Sequence, residues 1–289
     1  MGDTECRVLS IQSHVVSGYV GNKSAAFPLQ VLGFEVDTIN SVQFSNHTGY
    51  QEWKGHILNA EVLGDLYSGL KANDLCHYTH LLTGYIGCAS FLNKVKEMVI
   101  DLKKLNPGLI YVCDPVMGDD GKLKQIIPYA DIVTPNQFEA ELLTGIKITN
   151  LETAKQAMNK LHEMGAKIVV ISSTSLGSDD LLVCVGSSVN NGSRTSLQID
   201  MPKLPAHFTG TGDLFTALLL AWLHYHSDNI KLACEKTVST MQCVLKRTLA
   251  KAKEKAGLMK PTPAQIELQL IQSKRDIEAP EISCYAHLL

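Results

Sequence analysis

Several features that mark other classes of protein are missing from this sequence. No C-x-x-C pair occurs among its eight cysteines, and most of them lie in apolar surroundings. Buried thiols in a reducing compartment explain such cysteines better than disulfides or a zinc site, so we expect reduced thiols. The pairs His77-x-x-His80 and His224-x-His226 have no third ligand nearby in the sequence, and we expect no metal there.

A large charge of one sign and long hydrophobic runs are also missing. The formal net charge is −3 at pH 7, which gives no broad basic surface for nucleic acid or an anionic membrane. The longest apolar stretches have the length of a strand or are interrupted by polar residues, and residues 1–5 do not resemble a signal peptide. We therefore expect a soluble, cytoplasmic protein with no nucleic-acid or membrane partner.

Segments rich in Val and Ile alternate with helical patterns along the whole chain, which has no repeat, low-complexity tract or Pro/Gly-rich linker. This alternation predicts an α/β fold with a single doubly wound, mostly parallel sheet and helices on both faces. We expect one domain over residues 1–289. Strands are predicted at 7–12, 34–40, 79–85, 109–113, 131–134, 167–172 and 181–185. Helices are predicted at 23–32, 60–71, 90–105, 137–144, 151–164, 212–225 and 229–256.

Gly210-Thr211-Gly212-Asp213, followed by the apolar run 214–220, carries the clearest chemical signal. The two glycines allow a tight turn that presents backbone N–H groups, and the helix that follows adds the positive end of its dipole, which together make an anion hole. An aspartate there would repel a phosphate unless it accepts the proton of an attacking hydroxyl. The segment favours phosphoryl transfer to an alcohol; the alternative is an ordinary glycine turn with Asp213 as a helix N-cap.

The loop after the first strand resembles a P-loop but does not have its spacing. The motif G-x-x-x-x-G-K-S requires glycines at the positions of Ser17 and Asn22, ahead of Lys23. We expect no P-loop binding of a nucleotide, although Ser13 and His14 bring the loop to the carboxyl end of the strand, where pockets form. The loop also has no G-x-G-x-x-G, which disfavours a dinucleotide-dependent oxidoreductase.

Two further strand ends carry residues suited to phosphate chemistry. Asn136 and Glu139 lie three apart at the start of a predicted helix, where an amide and a carboxylate can hold a hydrated magnesium ion and the phosphates that it bridges. The alternative is that they form only a capping box. Asp114 and Asp119 follow another apolar strand, where they either meet a cation or phosphate or remain solvated loop carboxylates.

The motifs N-x-x-E, D-P-V-M-G-D and G-T-G-D, in this order, resemble the ribokinase superfamily, whose members phosphorylate alcohols without a P-loop. Three concordant motifs are a far stronger signal than any one of them. Within the superfamily the chain is similar to the pyridoxal kinases of animals over nearly its whole length. The segments that carry this similarity are 10–22, 40–50, 82–85, 233–239 and 272–278.

The resemblance implies a ribokinase-like fold and transfer of the ATP γ-phosphate to the 5′-hydroxymethyl group of pyridoxal, pyridoxine or pyridoxamine. It implies ATP as co-substrate, a divalent cation (Mg²⁺ or Zn²⁺), a monovalent cation (K⁺ or Na⁺) and a homodimer. Asp213 would be the base, and Gly210, Thr211 and Gly212 would supply N–H groups to the transferred phosphoryl group.

The same resemblance assigns the remaining contacts. Substrate contacts would come from Ser13, Val20, Phe44, Thr48, Tyr85 and Asp213. ATP contacts would come from Asp114, Asn136, Glu139, Ser172, Ser173, Leu204, Pro205, Ala206, Thr211 and Gly212. The divalent cation would be held by Asp114 and Glu139 through water, and the monovalent cation by Asp119, Thr134 and Ser172.

Two departures from the family pattern stand out. After D-P-V-M-G-D-x-G the family continues with an aromatic segment and about a dozen residues that cover ATP, whereas here Leu123 is followed directly by Lys124. This implies either a shortened lid or a mobile loop omitted from the sequence, and the matching residues on both sides favour the omitted loop. Thr209 stands where relatives carry an aliphatic residue.

Two alternatives to this function stay open. A hydroxymethylpyrimidine kinase shares the superfamily motifs and would be separated by its substrate. A non-catalytic vitamin B6 carrier, from a different class, predicts binding without turnover; the intact Asp213 beside Gly210, Thr211 and Gly212 disfavours it.

Overall fold

The computed structural model describes residues 6–116, 122–190 and 192–289. Its strands are β1 (Arg7–Val15), β2 (Glu35–Phe44), β3 (Gly55–Ile57), β4 (His80–Thr83), β5 (Ile110–Cys113), β6 (Ile132–Val133), β7 (Ile168–Thr174), β8 (Leu181–Asn190), β9 (Ser193–Pro202) and β10 (Ala286–Leu288). Its helices are α1 (Asn22–Val31), α2 (Ala60–Ala72), α3 (Ala89–Leu105), α4 (Gln137–Thr144), α5 (Leu151–Glu163), α6 (Thr211–Tyr225), α7 (Ile230–Ala256) and α8 (Lys274–Glu278).

The ten strands form one sheet in the order β10-β9-β8-β7-β6-β5-β4-β1-β2-β3. The strands from β7 to β2 in this order pair in parallel, whereas β8, β9 and β10 on one side and β3 on the other pair antiparallel. The predicted doubly wound, mostly parallel sheet is confirmed. Strand β2 lies on one side of β1 and strand β4 lies on the other, so the strand order reverses at β1. Ligands of doubly wound sheets bind at such a switch point, which here lies between β1 and β4.

Helices cover both faces of the sheet, as the alternation predicts. Buried side chains of α2, α3, α4 and α5 form one core cluster with the sheet, and those of α1, α6, α7 and α8 form the other. Ten consecutive residues of α6, from Leu214 to Leu223, are buried, because this helix packs between α1 and α7 and shares a core cluster with the sheet. The apolar run after the G-T-G-D motif is thus a central core helix, as expected for a helix that is hydrophobic on all sides.

The predicted elements are all present, but the sequence prediction was incomplete at the antiparallel edges. The short strands β3 and β10, the ten-residue strand β9 and the short helix α8 were not predicted. The strand predicted at 181–185 continues to Asn190. These additions extend the sheet away from the switch point and leave the predicted parallel centre unchanged.

Five of the cysteines, Cys76, Cys113, Cys184, Cys234 and Cys284, are buried. Burial raises the pKa of both Cys113 and Cys184 to about 12, so these side chains are protonated thiols at neutral pH. In the part of the chain that the structure describes, no helix combines the length and the hydropathy that crossing a bilayer requires.

Candidate active site

A cleft of about 850 Å³ opens at the carboxyl ends of the parallel strands. The structure brings nearly all predicted site residues into its wall: Ser13, Val20, Phe44, Thr48, Tyr85, Asp114, Thr134, Asn136, Glu139, Ser172, Ser173, Leu204, Ala206, Gly210, Thr211, Gly212 and Asp213. Pro205 does not line the cleft, although both of its neighbours do. Asp119 lies outside the described residues.

The G-T-G-D turn has the geometry that the sequence predicts. Gly210 is left-handed, with φ 80° and ψ 9°, and α6 begins at Thr211. A Cβ at Gly210 would lie 2.0 Å from the carbonyl oxygen of Tyr19, so only glycine fits this close approach. The N–H groups of the first helical turn have no acceptor within the helix and lie at the cleft wall, where the helix dipole favours an anion.

Asp213 is the third residue of α6, and the helix N-cap is Gly210, so the N-cap alternative for Asp213 is wrong. Its Oδ2 instead accepts the backbone N–H of Gly21 at 2.7 Å. Burial raises the pKa of Asp213, and the Gly21 hydrogen bond lowers it. The carboxylate therefore lies in the first turn of α6 and is hydrogen-bonded to the loop that resembles a P-loop.

Asp114 and Glu139 lie close to this aspartate. Asp114 is 2% exposed, and its Oδ2 has no hydrogen-bond partner among the described residues. Its pKa is raised well above the usual range by burial and by the charges of Glu139 and Asp213. Burial and the charge of Asp213 raise the pKa of Glu139 to about 7, although the Asn136 N–H opposes this.

Three carboxyl groups that repel one another across a cleft require a cation to remain ionised together. A Cβ at Gly212 would lie 3.3 Å from Oδ2 of Asp114, so this unpartnered oxygen lies close to the first turn of α6. Carboxylate oxygens suit a hard divalent cation such as Mg²⁺. No group of three His, Cys, Asp or Glu side chains in the described ranges has the arrangement of a metal site.

Asn136 and Glu139 form the capping box that was the structural alternative for this pair. The N–H of Glu139 donates to Oδ1 of Asn136 at 3.0 Å, and the N–H of Asn136 donates to Oε2 of Glu139 at 2.8 Å. Both side chains also line the cleft. The capping role and a position in the cleft are therefore compatible, because the box fixes the two side chains at the helix start.

The predicted monovalent-cation residues are described only in part. The hydroxyl of Thr134 lies 2.8 Å from that of Thr216, and Thr216 lies near enough to Asp114 to lower the pKa of that carboxyl slightly. The N–H of Ser172 donates to the carbonyl of Pro135 at 2.9 Å. Thr134 and Ser172 thus lie on the same side of the cleft as Asp114.

The other side of the cleft carries the predicted substrate residues. Between Gln12 and His14 the pairing of β1 with β2 shifts register, and such a bulge turns Ser13 out of the regular ladder. The carbonyl of Tyr85, just after β4, accepts the hydroxyl of Ser41 at 3.0 Å. The loop after β1 adds Val20 to the wall, the last residue of β2 adds Phe44, and the loop after β2 adds Thr48. Together they give an apolar and aromatic surface with a few polar groups, as in many small-molecule sites.

Several lining residues were not predicted. His47 lies beside Thr48 in the cleft wall, and Lys203 and His207 also line the cleft. Gln242 lines the cleft from α7 and donates to the carbonyl of Pro202 at 3.1 Å. In the sequence, Gln242 is marked only as a polar residue within a stretch of α7 that the structure shows to be buried.

The chain is similar to known kinases. A family model described as pfkB family carbohydrate kinase matches residues 68–256. The chain is 54% identical to the pyridoxal kinase of Bos taurus, over 99% of this chain and 100% of that one. It is 51% identical to the pyridoxal kinase of Arabidopsis thaliana, over 97% and 94% of the two chains.

Among solved structures, the pyridoxal kinase from Leishmania donovani in complex with ADP and pyridoxamine has a TM-score of 0.90 at 35% identity, covering 99% of this chain and 100% of that one. The pyridoxal kinase from Trypanosoma brucei has a TM-score of 0.88 at 33% identity, with 99% and 100% covered. The fold and the site thus define an ATP-dependent kinase of the pfkB type. Within this class the chain belongs to the pyridoxal kinase family.

The comparison also bears on the departure at Leu123–Lys124. The alignment with the bovine relative extends over 311 residues, although this chain has 289. That relative therefore contains residues that have no counterpart here. The departure adjoins residues 117–121, which lie outside the described ranges.

Proposed function

We propose that this kinase transfers the γ-phosphoryl group of ATP to the 5′-hydroxymethyl group of pyridoxal, pyridoxine or pyridoxamine, with Asp213 as general base. The observation that carries the proposal is the position of the Asp213 carboxylate at the N-terminus of α6, in a cleft with an apolar substrate side. The Leishmania donovani relatives, whose structures contain ADP with pyridoxamine or pyridoxine, support the choice of substrate.

In the reaction Asp213 accepts the proton of the substrate hydroxyl, whose oxygen forms a bond to the γ-phosphorus. The bond from this phosphorus to the β–γ bridging oxygen breaks, and ADP leaves with the electron pair. The N–H groups at Gly210, Thr211 and Gly212 bind the equatorial oxygens on which negative charge lies in the transition state. Because phosphoryl transfer needs little covalent help from the protein, most of the acceleration comes from positioning and charge stabilisation.

We assign the cation side of the cleft to Asp114 and Glu139, with Thr134, Ser172 and, outside the described residues, Asp119 for a monovalent ion. A divalent cation here supplies charge neutralisation of the triphosphate. The support is the unpartnered Oδ2 of Asp114 and the raised pKa values of both acids. Ser172, Ser173 and residues 204–206 are assigned to the nucleotide, opposite Ser13, Val20, Phe44, Thr48 and Tyr85 on the vitamer side.

We also propose a cytoplasmic homodimer. Buried thiols such as Cys113 and Cys184 are typical of a reducing compartment. The edge strand β3 is exposed at all three residues, with Trp53 nearby also exposed, and an open edge of this kind favours pairing with a second copy. Light scattering of the purified protein measures the mass in solution, and a monomer at micromolar concentration would contradict the dimer.

An ADP-release assay with pyridoxal and with hydroxymethylpyrimidine tests the proposed activity. We expect pyridoxal-dependent ADP release together with formation of pyridoxal 5′-phosphate. A clear preference for hydroxymethylpyrimidine would favour the related kinase. Binding of pyridoxal with no ADP release at any cation concentration would favour the carrier alternative.

A further inference from the structure

Glu267 lies between α7 and α8, and its carboxylate contacts the two loops that form the substrate side of the cleft. Oε2 accepts the backbone N–H of Tyr19 at 3.0 Å. Oε1 accepts the hydroxyl of Tyr50 at 3.0 Å and lies 3.2 Å from Nε2 of His47. The side chains of Glu267 and His47 are only 14% and 8% exposed, so the contacts are shielded from water and from salt.

The hydrogen-bond partners of His47 and Tyr50 indicate where the protons of these two side chains lie. The backbone N–H of Gly49 donates to Nδ1 of His47 at 3.1 Å, so the proton of a neutral His47 is on Nε2 and points at Glu267. Burial and the contact with Glu267 raise the pKa of Tyr50 to about 12, which keeps its hydroxyl a donor. The carboxylate accepts all three hydrogen bonds, because an ionised glutamate has acceptors only.

Each of the two loops carries residues of the site close to its contact with Glu267. Tyr19 precedes Val20 in the cleft wall and Gly21, whose N–H binds Asp213. His47 lines the cleft itself and precedes Thr48. A Cβ at Gly18, where φ is 99°, would lie 2.4 Å from Oε1 of Glu267, so the first loop approaches the carboxylate as closely as a glycine allows.

We propose that Glu267 is a positioning residue that fixes the loops 16–21 and 46–54 around the vitamer and thereby sets the affinity for it. This rests on the proposed function, because it assigns the vitamer to the side of the cleft that these loops form. The nucleotide side is built by other elements, with Ser172 and Ser173 at the end of β7. Loss of the carboxylate therefore affects the two substrates unequally.

The first test is Glu267→Gln, which keeps the size of the side chain but replaces one acceptor by a donor that faces N–H and O–H donors. We expect KM and the dissociation constant for pyridoxal to rise about tenfold or more, the factor for a lost charged hydrogen bond. The KM for ATP stays within about twofold. The matched control is Glu281→Gln, which removes a charge from an exposed glutamate of the C-terminal segment and leaves both constants unchanged.

The second test is Tyr50→Phe, alone and combined with Glu267→Gln. Alone it removes one of the three hydrogen bonds and raises KM for pyridoxal about three- to tenfold. In the Glu267→Gln background it adds less than about twofold, because the acceptor has already been lost. If Glu267→Gln does not fold, the KM for pyridoxal of the single variant Tyr50→Phe tests the role of Glu267.

The outcomes separate the two proposals. A wild-type enzyme without pyridoxal-dependent turnover contradicts the proposed function, whatever the variants do. A wild-type enzyme that turns over pyridoxal contradicts only the role of Glu267 if the folded Glu267→Gln variant keeps its affinity for pyridoxal. Equal increases in the KM values of both substrates also contradict it, because they indicate a general loss of structure.

Discussion

The backbone N–H of Gly21 donates to Oδ2 of Asp213 at 2.7 Å, across 192 residues of sequence. The contact joins the loop after β1 to the first turn of α6. A Cβ at Gly21, where φ is 53°, would lie 1.9 Å from the carbonyl oxygen of Ser13, so the turn that aims this N–H requires glycine. The hydrogen bond opposes the effect of burial on the pKa of Asp213, which nevertheless stays above its usual value, and a raised pKa suits a group that is proposed to accept a proton.

The first prediction concerns this aspartate. Asp213→Asn keeps the shape of the side chain and an oxygen for the Gly21 N–H, but it removes the proton acceptor. We expect kcat to fall about 10²- to 10⁴-fold while pyridoxal still binds. Steady-state kinetics gives the first quantity and calorimetric titration with pyridoxal gives the second. The control is Asp228→Asn, an exposed aspartate after α6, and turnover near the wild-type rate in Asp213→Asn would remove it from the mechanism.

The second prediction separates the two roles of Glu139. Glutamine at this position still accepts the Asn136 N–H, so Glu139→Gln preserves the capping box and removes only the charge. We expect a higher requirement for Mg²⁺ and a higher KM for ATP, with a much smaller change in the KM for pyridoxal. A magnesium titration of initial rates measures both effects.

Glu152→Gln is the matched control for Glu139, because Glu152 is an exposed acid in the first turn of α5. It removes the same charge from a helix start far from the cleft and leaves the magnesium titration unchanged. If Glu139→Gln also had the wild-type titration, the pair Asn136 and Glu139 would be structural only.

The parallel centre of the fold was predictable from the sequence, but its antiparallel edge was not. The central strands are buried on both faces and appear as continuous apolar runs, for example Val169, Val170 and Ile171 in β7. Strand β9 has the sequence SRTSLQIDMP. Its first three residues are exposed, and buried residues alternate with exposed or half-buried ones only from Leu197 onward. It is stabilised by its cross-strand pairing with β8. The sequence signal for this pairing is the Asn-Gly pair at 191–192, which lies beyond the end of the strand predicted at 181–185.

The site was predictable where a short motif carries the chemistry. Gly210 and Asp213 meet the expected geometry because the turn and the helix that determine it are adjacent in sequence. Glu267 was not predicted, since its partners Tyr19 and Tyr50 lie more than 200 residues away and no spacing rule joins them. The position of Asn136 was predicted, but the motif alone did not distinguish the capping role from a role in the cleft.

A third prediction concerns acid stability. His80 is 3% exposed, its Nε2 has no hydrogen-bond partner among the described residues, and its ring lies 5.1 Å from that of His224. Burial, with a smaller contribution from His224, lowers the pKa of His80 to about 4. The unfolded chain therefore binds a proton at this histidine below about pH 6.5 and the folded chain does not. We expect the free energy of unfolding to fall by about 3 kcal/mol from this group between about pH 6.5 and pH 4.

Urea unfolding at a series of pH values measures this effect. His80→Phe removes the titrating ring, so its free energy of unfolding has a smaller slope with pH in this window, whatever its absolute value. His77→Gln is the control, because the side chain of His77 is 68% exposed and its removal leaves the slope as in the wild type. Equal slopes for His80→Phe and the wild type would show that His80 is protonated in the folded state.

The last prediction concerns the junction of Leu123 and Lys124. If relatives cover the nucleotide with residues that this protein lacks, water reaches the γ-phosphate and competes with the substrate hydroxyl. A true deletion therefore predicts ATP hydrolysis in the absence of pyridoxal, whereas a complete lid does not. The intact mass separates the two cases: 31.6 kDa means a deletion, and an excess of about 1.5 kDa means a loop of roughly a dozen residues. We expect the excess mass and a low ATPase background, because the residues on both sides match the family. A mass of 31.6 kDa with rapid hydrolysis would instead make the shortened lid the cause of uncoupled turnover.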